Sequence, residues 1–71
     1  MDNQGDDTTR KKLGERLKKA REELGLTQTE VATKAKINAN YYAKVERGEA
    51  DLAFVRLSRV FKVLKIKSPV E

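Results

Sequence analysis

In the stretch GLTQTEVATKAKINANYYAKVERG, residues 25–48, two helix-start signals stand only eleven residues apart. Thr27 and Glu30 form a capping box, in which hydroxyl and carboxylate satisfy two backbone N–H groups that a helix start leaves orphaned. Asn38 is a second N-cap candidate, and Ile37 before it is placed to staple onto Tyr42. Gly25 falls where a C′ glycine ends the preceding helix, and Gly48 closes the following one. The middle of the chain is thereby confined to two short helices. One runs to about Ala35 with Val31, Ala32 and Ala35 inward, and the other runs from about residue 38 to 47.

The flanks are helical as well. Leu13, Leu17, Ala20 and Leu24 recur at spacings of four, three and four, one apolar stripe of a first helix whose start Thr8 or Thr9 can cap. Gly14 costs that helix about 1 kcal/mol of propensity. Asp51 can cap a fourth helix with Phe54, Leu57, Val60, Phe61 and Leu64 on its apolar face and Ile66 packed just beyond. No strand alternation or internal repeat interrupts this reading. The expected architecture is all-α, a compact bundle of four short helices. Residues 1–8 are expected to be a disordered acidic tail, and 9–67 the folded domain. Residues 68–71, SPVE, carry a complete helix-start signature: Ser68 as N-cap, Pro69 in the first position and Glu71 in the third. They are read as the start of a truncated fifth helix.

Composition narrows the chemistry. With 71 residues the chain is one small domain at most. It has no cysteine and no histidine, so disulfides, thiolate metal sites and the commonest general base are excluded. No cofactor or metal is expected, and no apolar run approaches the roughly 18 residues of a membrane span. Residues 1–7 hold three of the eleven acidic side chains and none of the sixteen basic ones, leaving a net +8 on residues 8–71. Such a surface favours polyanions, nucleic acid first and anionic membrane second, or simply serves solubility.

Residues 20–48, AREELGLTQTEVATKAKINANYYAKVERG, resemble the Cro and lambda repressor-like, or XRE, helix-turn-helix family. The likeness rests on the GLTQ helix entry, the small Ala32 inside the second helix and the closing ERG, and with the flanking helices it spans roughly residues 10–66. It implies that two short helices cross steeply over a small residue, and that the third helix enters the DNA major groove. Carried over by position, it makes Ala39, Asn40 and Lys44 base-reading candidates. Asn40 can pair bidentately with adenine, Lys44 can donate to guanine, and Ala39 can at most touch a thymine methyl. Gln28 becomes a contact to the DNA backbone or the first base pair, favoured over a neutral first-turn residue. Thr27 and Arg47 become backbone contacts, although capping alone would justify Thr27 and the helix dipole also suits Arg47. Arg21 and Glu46 match a pair that in relatives joins the first helix to the third. The other basic residues of the first helix, Lys11, Lys12, Arg16, Lys18 and Lys19, are read mainly as a solvated face.

Two departures from the family stand out. Lys36 occupies a turn position where relatives prefer glycine, at a cost of about 1 kcal/mol. Glu49 and Asp51 would repel phosphate if they pointed at it.

The expected function is sequence-specific binding of duplex DNA by a repressor-type transcriptional regulator. It is expected to be cytoplasmic, associated with the nucleoid, and to act as a homodimer on a two-fold operator. The alternative is a protein-interaction module, an adaptor or antitoxin, on the same fold. An enzyme or a membrane-bound helix is disfavoured by the missing histidine and cysteine and by the need of the first helix's apolar face for the core. If the chain is a fragment, as SPVE implies, it should dimerise weakly alone.

Adjacent tyrosines 41 and 42 cannot both face one core, because neighbours on a helix diverge by about 100°. Tyr42, three residues before Val45, is read as inward; Tyr41, next to Asn40, as outward and available to sugar, a thymine methyl or phosphate. Tyr42→Ala should then cost roughly 3–5 kcal/mol of stability. Tyr41→Ala should cost about 0.5 kcal/mol or less yet weaken DNA binding. Thermal melts and DNA titrations of both variants check this, and the reverse pattern would mean that the third helix is rotated.

Overall fold

The computed structural model describes residues 4–66. Among them are four helices, α1 (Gln4–Glu23), α2 (Gln28–Ala35), α3 (Ala39–Glu46) and α4 (Phe54–Leu64), and no strand. The fold is all-α. The expected helix start at residues 68–71 lies outside the described residues.

The caps of the two central helices are local chemistry. Thr27 Oγ1 accepts the Glu30 N–H at 3.0 Å while Glu30 Oε1 accepts the Thr27 N–H at 2.8 Å, a full capping box. Asn38 Oδ1 accepts the Tyr41 N–H at 3.0 Å and starts α3. Between them Lys36 is left-handed, at φ 60°, and the chain turns as the Ile37 N–H returns to the Ala32 carbonyl at 2.9 Å. Lysine holds that conformation because the turn's hydrogen bonds and the packing of Ile37 on the core outweigh a penalty of about 1 kcal/mol. Lys65 closes α4 in the same way, also at φ 60°.

The core consists of Leu17 from α1, Val31, Ala32 and Ala35 from α2, Tyr42 and Val45 from α3, and Val60, Phe61 and Leu64 from α4. Tyr42 is fully enclosed, whereas Tyr41 keeps 40% of its surface exposed. Helix α2 packs on α3 and α4, and α1 packs on the same two. Arg59 of α4 donates from Nε to the Ala35 carbonyl at 2.9 Å, satisfying an acceptor that the end of α2 leaves open.

Four expectations need correction. Helix α1 begins at Gln4, so residues 4–8 are not a disordered tail; Thr8 and Thr9 lie inside the helix. No proline interrupts this stretch, and an interior threonine costs less than about 1 kcal/mol, so the ladder runs on upstream. Leu24 is exposed, because the chain turns away after Glu23 and Leu26 takes the inward place. Asp51 does not cap α4: the N-cap is Ala53, without a side-chain hydrogen bond, and Asp51 instead accepts from Arg10 at 2.7 Å. Phe54 is 54% exposed rather than core: it shares the stripe of Phe61, but it stands in the first turn of α4, and burial along that stripe is partial at Leu57 and complete only from Val60 onward.

Gly14 is more than a propensity cost. It is buried where α1 crosses the end of α3, and a Cβ there would lie 2.3 Å from the Glu46 carbonyl oxygen and 2.7 Å from that of Val45. Gly48 closes the same crossing, with φ +78° and a would-be Cβ 3.0 Å from the Lys11 Cα. Backbone rather than side chain sets the limit at Gly14. Gly14→Ala should therefore destabilise the domain by about 1–3 kcal/mol as an overpacked site, despite gaining about 1 kcal/mol of helix propensity. A urea melt in which the alanine variant equals or exceeds the parent would contradict this close approach.

Candidate nucleic-acid interface

The last residue of α3 is a carboxylate with almost no access to water. Glu46 is 6% exposed and shares its two oxygens between donors from two other helices. Arg21, from the last turn of α1, donates from Nε to Oε2 at 2.7 Å and from Nη2 to Oε1 at 3.1 Å. Gln28, the first residue of α2, donates from Nε2 to Oε1 at 2.8 Å. Arg21 Nη1 also reaches the Leu26 carbonyl at 3.0 Å and so holds the α1–α2 connection. A bidentate pair with charge-assisted bonds is the arrangement in which a buried carboxylate can remain ionised.

Burial alone would raise the pKa of Glu46, but hydrogen bonds from Arg21 and Gln28 outweigh it and hold the carboxyl below the usual range. The guanidinium of Arg21 is correspondingly held more firmly protonated, chiefly by its hydrogen bond to Glu46. The Tyr42 hydroxyl sits enclosed beside this pair without a well-formed hydrogen bond. Burial first, and the neighbouring carboxylate second, push the phenol far above its ordinary pKa.

With α3 fixed from behind, its other face is turned outward. Asn40, Tyr41 and Lys44 are exposed, and Ala39 is half-buried against the core, so only part of its methyl faces out. Asn38, Asn40, Tyr41 and Lys44 line a cleft of about 410 Å³. Arg56, from the first turn of α4, completes it. Sequence reasoning missed Arg56 because nothing in its local pattern separates it from other surface cations; only the packing of α4 brings it beside α3.

The Tyr41 hydroxyl donates to the Asp51 carbonyl, so its proton serves the α3–α4 loop rather than an outside acceptor. Asp51 is therefore held twice, through its carbonyl by Tyr41 and through its carboxylate by Arg10. Glu49 accepts from Arg47 Nη2 at 3.1 Å, which holds the Glu49 carboxyl below its usual pKa. Both acidic loop residues are thus locally paired with arginine.

Gln28 and Arg47 line a second cleft of about 480 Å³ together with Lys11, Lys18 and three carboxylates, Glu15, Glu46 and Glu49. Thr27 stands exposed at the start of α2; its hydroxyl accepts from Glu30 and keeps its own proton for another acceptor. Gln28 is half-buried with one amide hydrogen on Glu46, and its second is not used by that bond. Among the described residues no cluster of His, Cys, Asp and Glu can hold a metal ion, and no helix is long and apolar enough to cross a membrane.

This chain belongs to the XRE-type helix-turn-helix family, whose helix-turn-helix model matches residues 17–71. The match takes in α2, the left-handed turn at Lys36, α3 and α4, the segment that carries the whole first cleft and all of the second except Lys11 and Glu15. No curated protein matches the sequence significantly.

The ionisation of Glu46 links this site to pH. Its folded-state pKa is depressed, so its contribution to stability is complete above the unfolded carboxylate value of about 4.3 and is lost as pH falls through the lower folded value. Glu46→Gln should be less stable than the parent at pH 7, and the gap should close in acid. Urea midpoints of both proteins from pH 7 down to pH 3 test this; a pH-independent gap would contradict it.

Proposed function

We propose that this domain binds duplex DNA sequence-specifically as a repressor-type transcriptional regulator, with α3 in the major groove. Membership of a DNA-binding helix-turn-helix family supports it. The observation that carries the reading within that family is the division of α3. Tyr42, Val45 and Glu46 lock one face into the fold, while the side chains of Asn40 and Lys44 stand on the other with no hydrogen bond or close ion pair among the described residues. An α-helix with its side chains is about 10–12 Å across, which a major groove about 12 Å wide admits.

In this reading Asn40 and Lys44 read base edges, Ala39 offers at most an apolar contact, and the Tyr41 ring packs on sugar or a thymine methyl. Thr27, the second amide hydrogen of Gln28, and Arg47 meet phosphate where the start of α2 brings its positive dipole to the backbone. Arg47 exchanges Glu49 for a phosphate on binding. The protein acts as a homodimer on a two-fold symmetric operator, in the cytoplasm and associated with the nucleoid.

Phe54 and Val55, 54% and 63% exposed at the start of α4, favour a second reading in which the fold docks on a protein. Tight binding to a protein partner with no affinity for any duplex would establish that alternative.

Selection of bound sequences from a random duplex pool is the direct test. Affinity for the selected site should fall with salt by about 0.9 log unit per log unit for each phosphate neutralised. Asn40→Ala and Lys44→Ala should each lose about 1–3 kcal/mol on that site and relax the preference at one base pair. Retention of the parental preference by both variants would place the reading face elsewhere.

A further inference from the structure

The chain has six arginines, and five of them are occupied within the molecule. Arg10 donates to Asp51 at 2.7 Å, Arg21 to Glu46 at 2.7 Å, Arg47 to Glu49 at 3.1 Å and Arg59 to the Ala35 carbonyl at 2.9 Å. Arg16 lies over the Phe61 ring, 5.8 Å from its centroid. Arg56 alone makes no hydrogen bond, ion pair or ring contact among the described residues. Its position does nothing for α4 either: a cation in the first turn stands at the positive end of the helix dipole, where it works against the helix. What Arg56 does have is a place. It closes the cleft formed by Asn38, Asn40, Tyr41 and Lys44, whose other cation, Lys44, makes no side-chain hydrogen bond or close ion pair among the described residues and is drawn only at longer range toward Glu49.

We propose that Arg56 is a DNA-backbone clamp: while α3 lies in the groove, its guanidinium grips a phosphate of the strand that passes over this cleft. The inference rests on the DNA-binding reading above and adds to it a contact residue from outside the helix-turn-helix pair. A planar guanidinium with every donor open is suited to bidentate phosphate recognition, and a phosphate there also relieves the like charges of Arg56 and Lys44. The cleft is held in shape in advance. The Tyr41 hydroxyl on the Asp51 carbonyl and the Arg10 guanidinium on the Asp51 carboxylate stake the loop that leads into α4, which sets where Arg56 stands relative to α3. Tyr41 is then a positioning residue for Arg56, and the acidic loop is a brace rather than a barrier to the backbone.

The experiment compares R56Q with K62Q, a matched loss of one charge from the exposed last turn of the same helix. Duplex titrations of the full chain over 0.05–0.3 M salt would use the selected site and a random duplex. R56Q should weaken binding about five- to tenfold near 0.1 M salt, alike on both duplexes, with a salt slope shallower by about 0.9 than that of the parent. K62Q should stay near the parent. Thermal melting of R56Q should match or exceed the parent, so that weaker binding cannot be put down to unfolding. R56Q binding like K62Q overturns the clamp. So does an unchanged slope with preference lost at one base pair, which would make Arg56 a base reader. A parent that binds no duplex at all refutes the underlying DNA-binding reading and is recognisable as that separate failure.

Discussion

The carboxylate of Glu46 is the constraint on which the rest of this small domain turns. It ends α3, where a negative charge is disfavoured by the helix dipole, and it is nearly enclosed, where a charge is disfavoured by desolvation. Both penalties are met by the same neighbours: the bidentate guanidinium of Arg21 from α1 and the amide of Gln28 from α2. Any rearrangement that parts α1, α2 and α3 leaves a buried charge unpaired. Removing one partner of such a pair costs about 3–5 kcal/mol, a large share of the stability a domain of this size can have. The contact is also intolerant of displacement, because Gly14 lets the α1 backbone rest on the carbonyls of Val45 and Glu46 at the same end of α3.

From that anchor the orientation of α3 follows. With Glu46 and Tyr42 facing inward, Asn40, Tyr41 and Lys44 are carried to the outside by helical geometry. The adjacent tyrosines therefore do different things. Tyr42 fills the core and lies against the ion pair, while Tyr41 ties α3 to the loop at Asp51. The charge distribution sorts the same way. Arg10, Arg21, Arg47 and Arg59 hold the fold or its loop together, whereas Lys44 and Arg56 face outward into one cleft with no side-chain hydrogen bond or close ion pair among the described residues. A net charge of +5 says nothing about this division; the distances do.

What could be read from the sequence was local. The capping box at Thr27, the Asn38 cap, the left-handed Lys36 and the inward set Val31, Ala32, Ala35 and Tyr42 each depend on residues within a turn or two of one another. The spacing of those signals also carried the family. Apart from the Arg21–Glu46 pair, which the family resemblance supplied, features that depend on distant partners could not be read. Asp51 looks like a helix cap until Arg10, forty-one positions away, takes its carboxylate. Gln28 looks like a solvent-facing first-turn residue until Glu46, eighteen positions on, takes its amide. Gly14 reads only as lost helix propensity, because the carbonyls it accommodates belong to α3. Phe54 has the spacing of a core residue, but it stands in the first turn of α4, where the stripe it shares with Phe61 is still exposed. Arg56 acquires a setting only once α4 has packed beside the outward face of α3.

Arg21 and Glu46 act as one unit that couples α1 to α3. A double-mutant cycle tests it most directly: urea denaturation of the parent, Arg21→Gln, Glu46→Gln and the double variant, all in a fixed concentration of a stabilising osmolyte so that the single variants remain folded. A coupled buried pair predicts that the second substitution costs far less than the first, with a coupling energy of about 2 kcal/mol or more. Single effects that add to within about 0.5 kcal/mol in the double variant would show two independent, surface-like residues and no coupling of α1 to α3 through this pair.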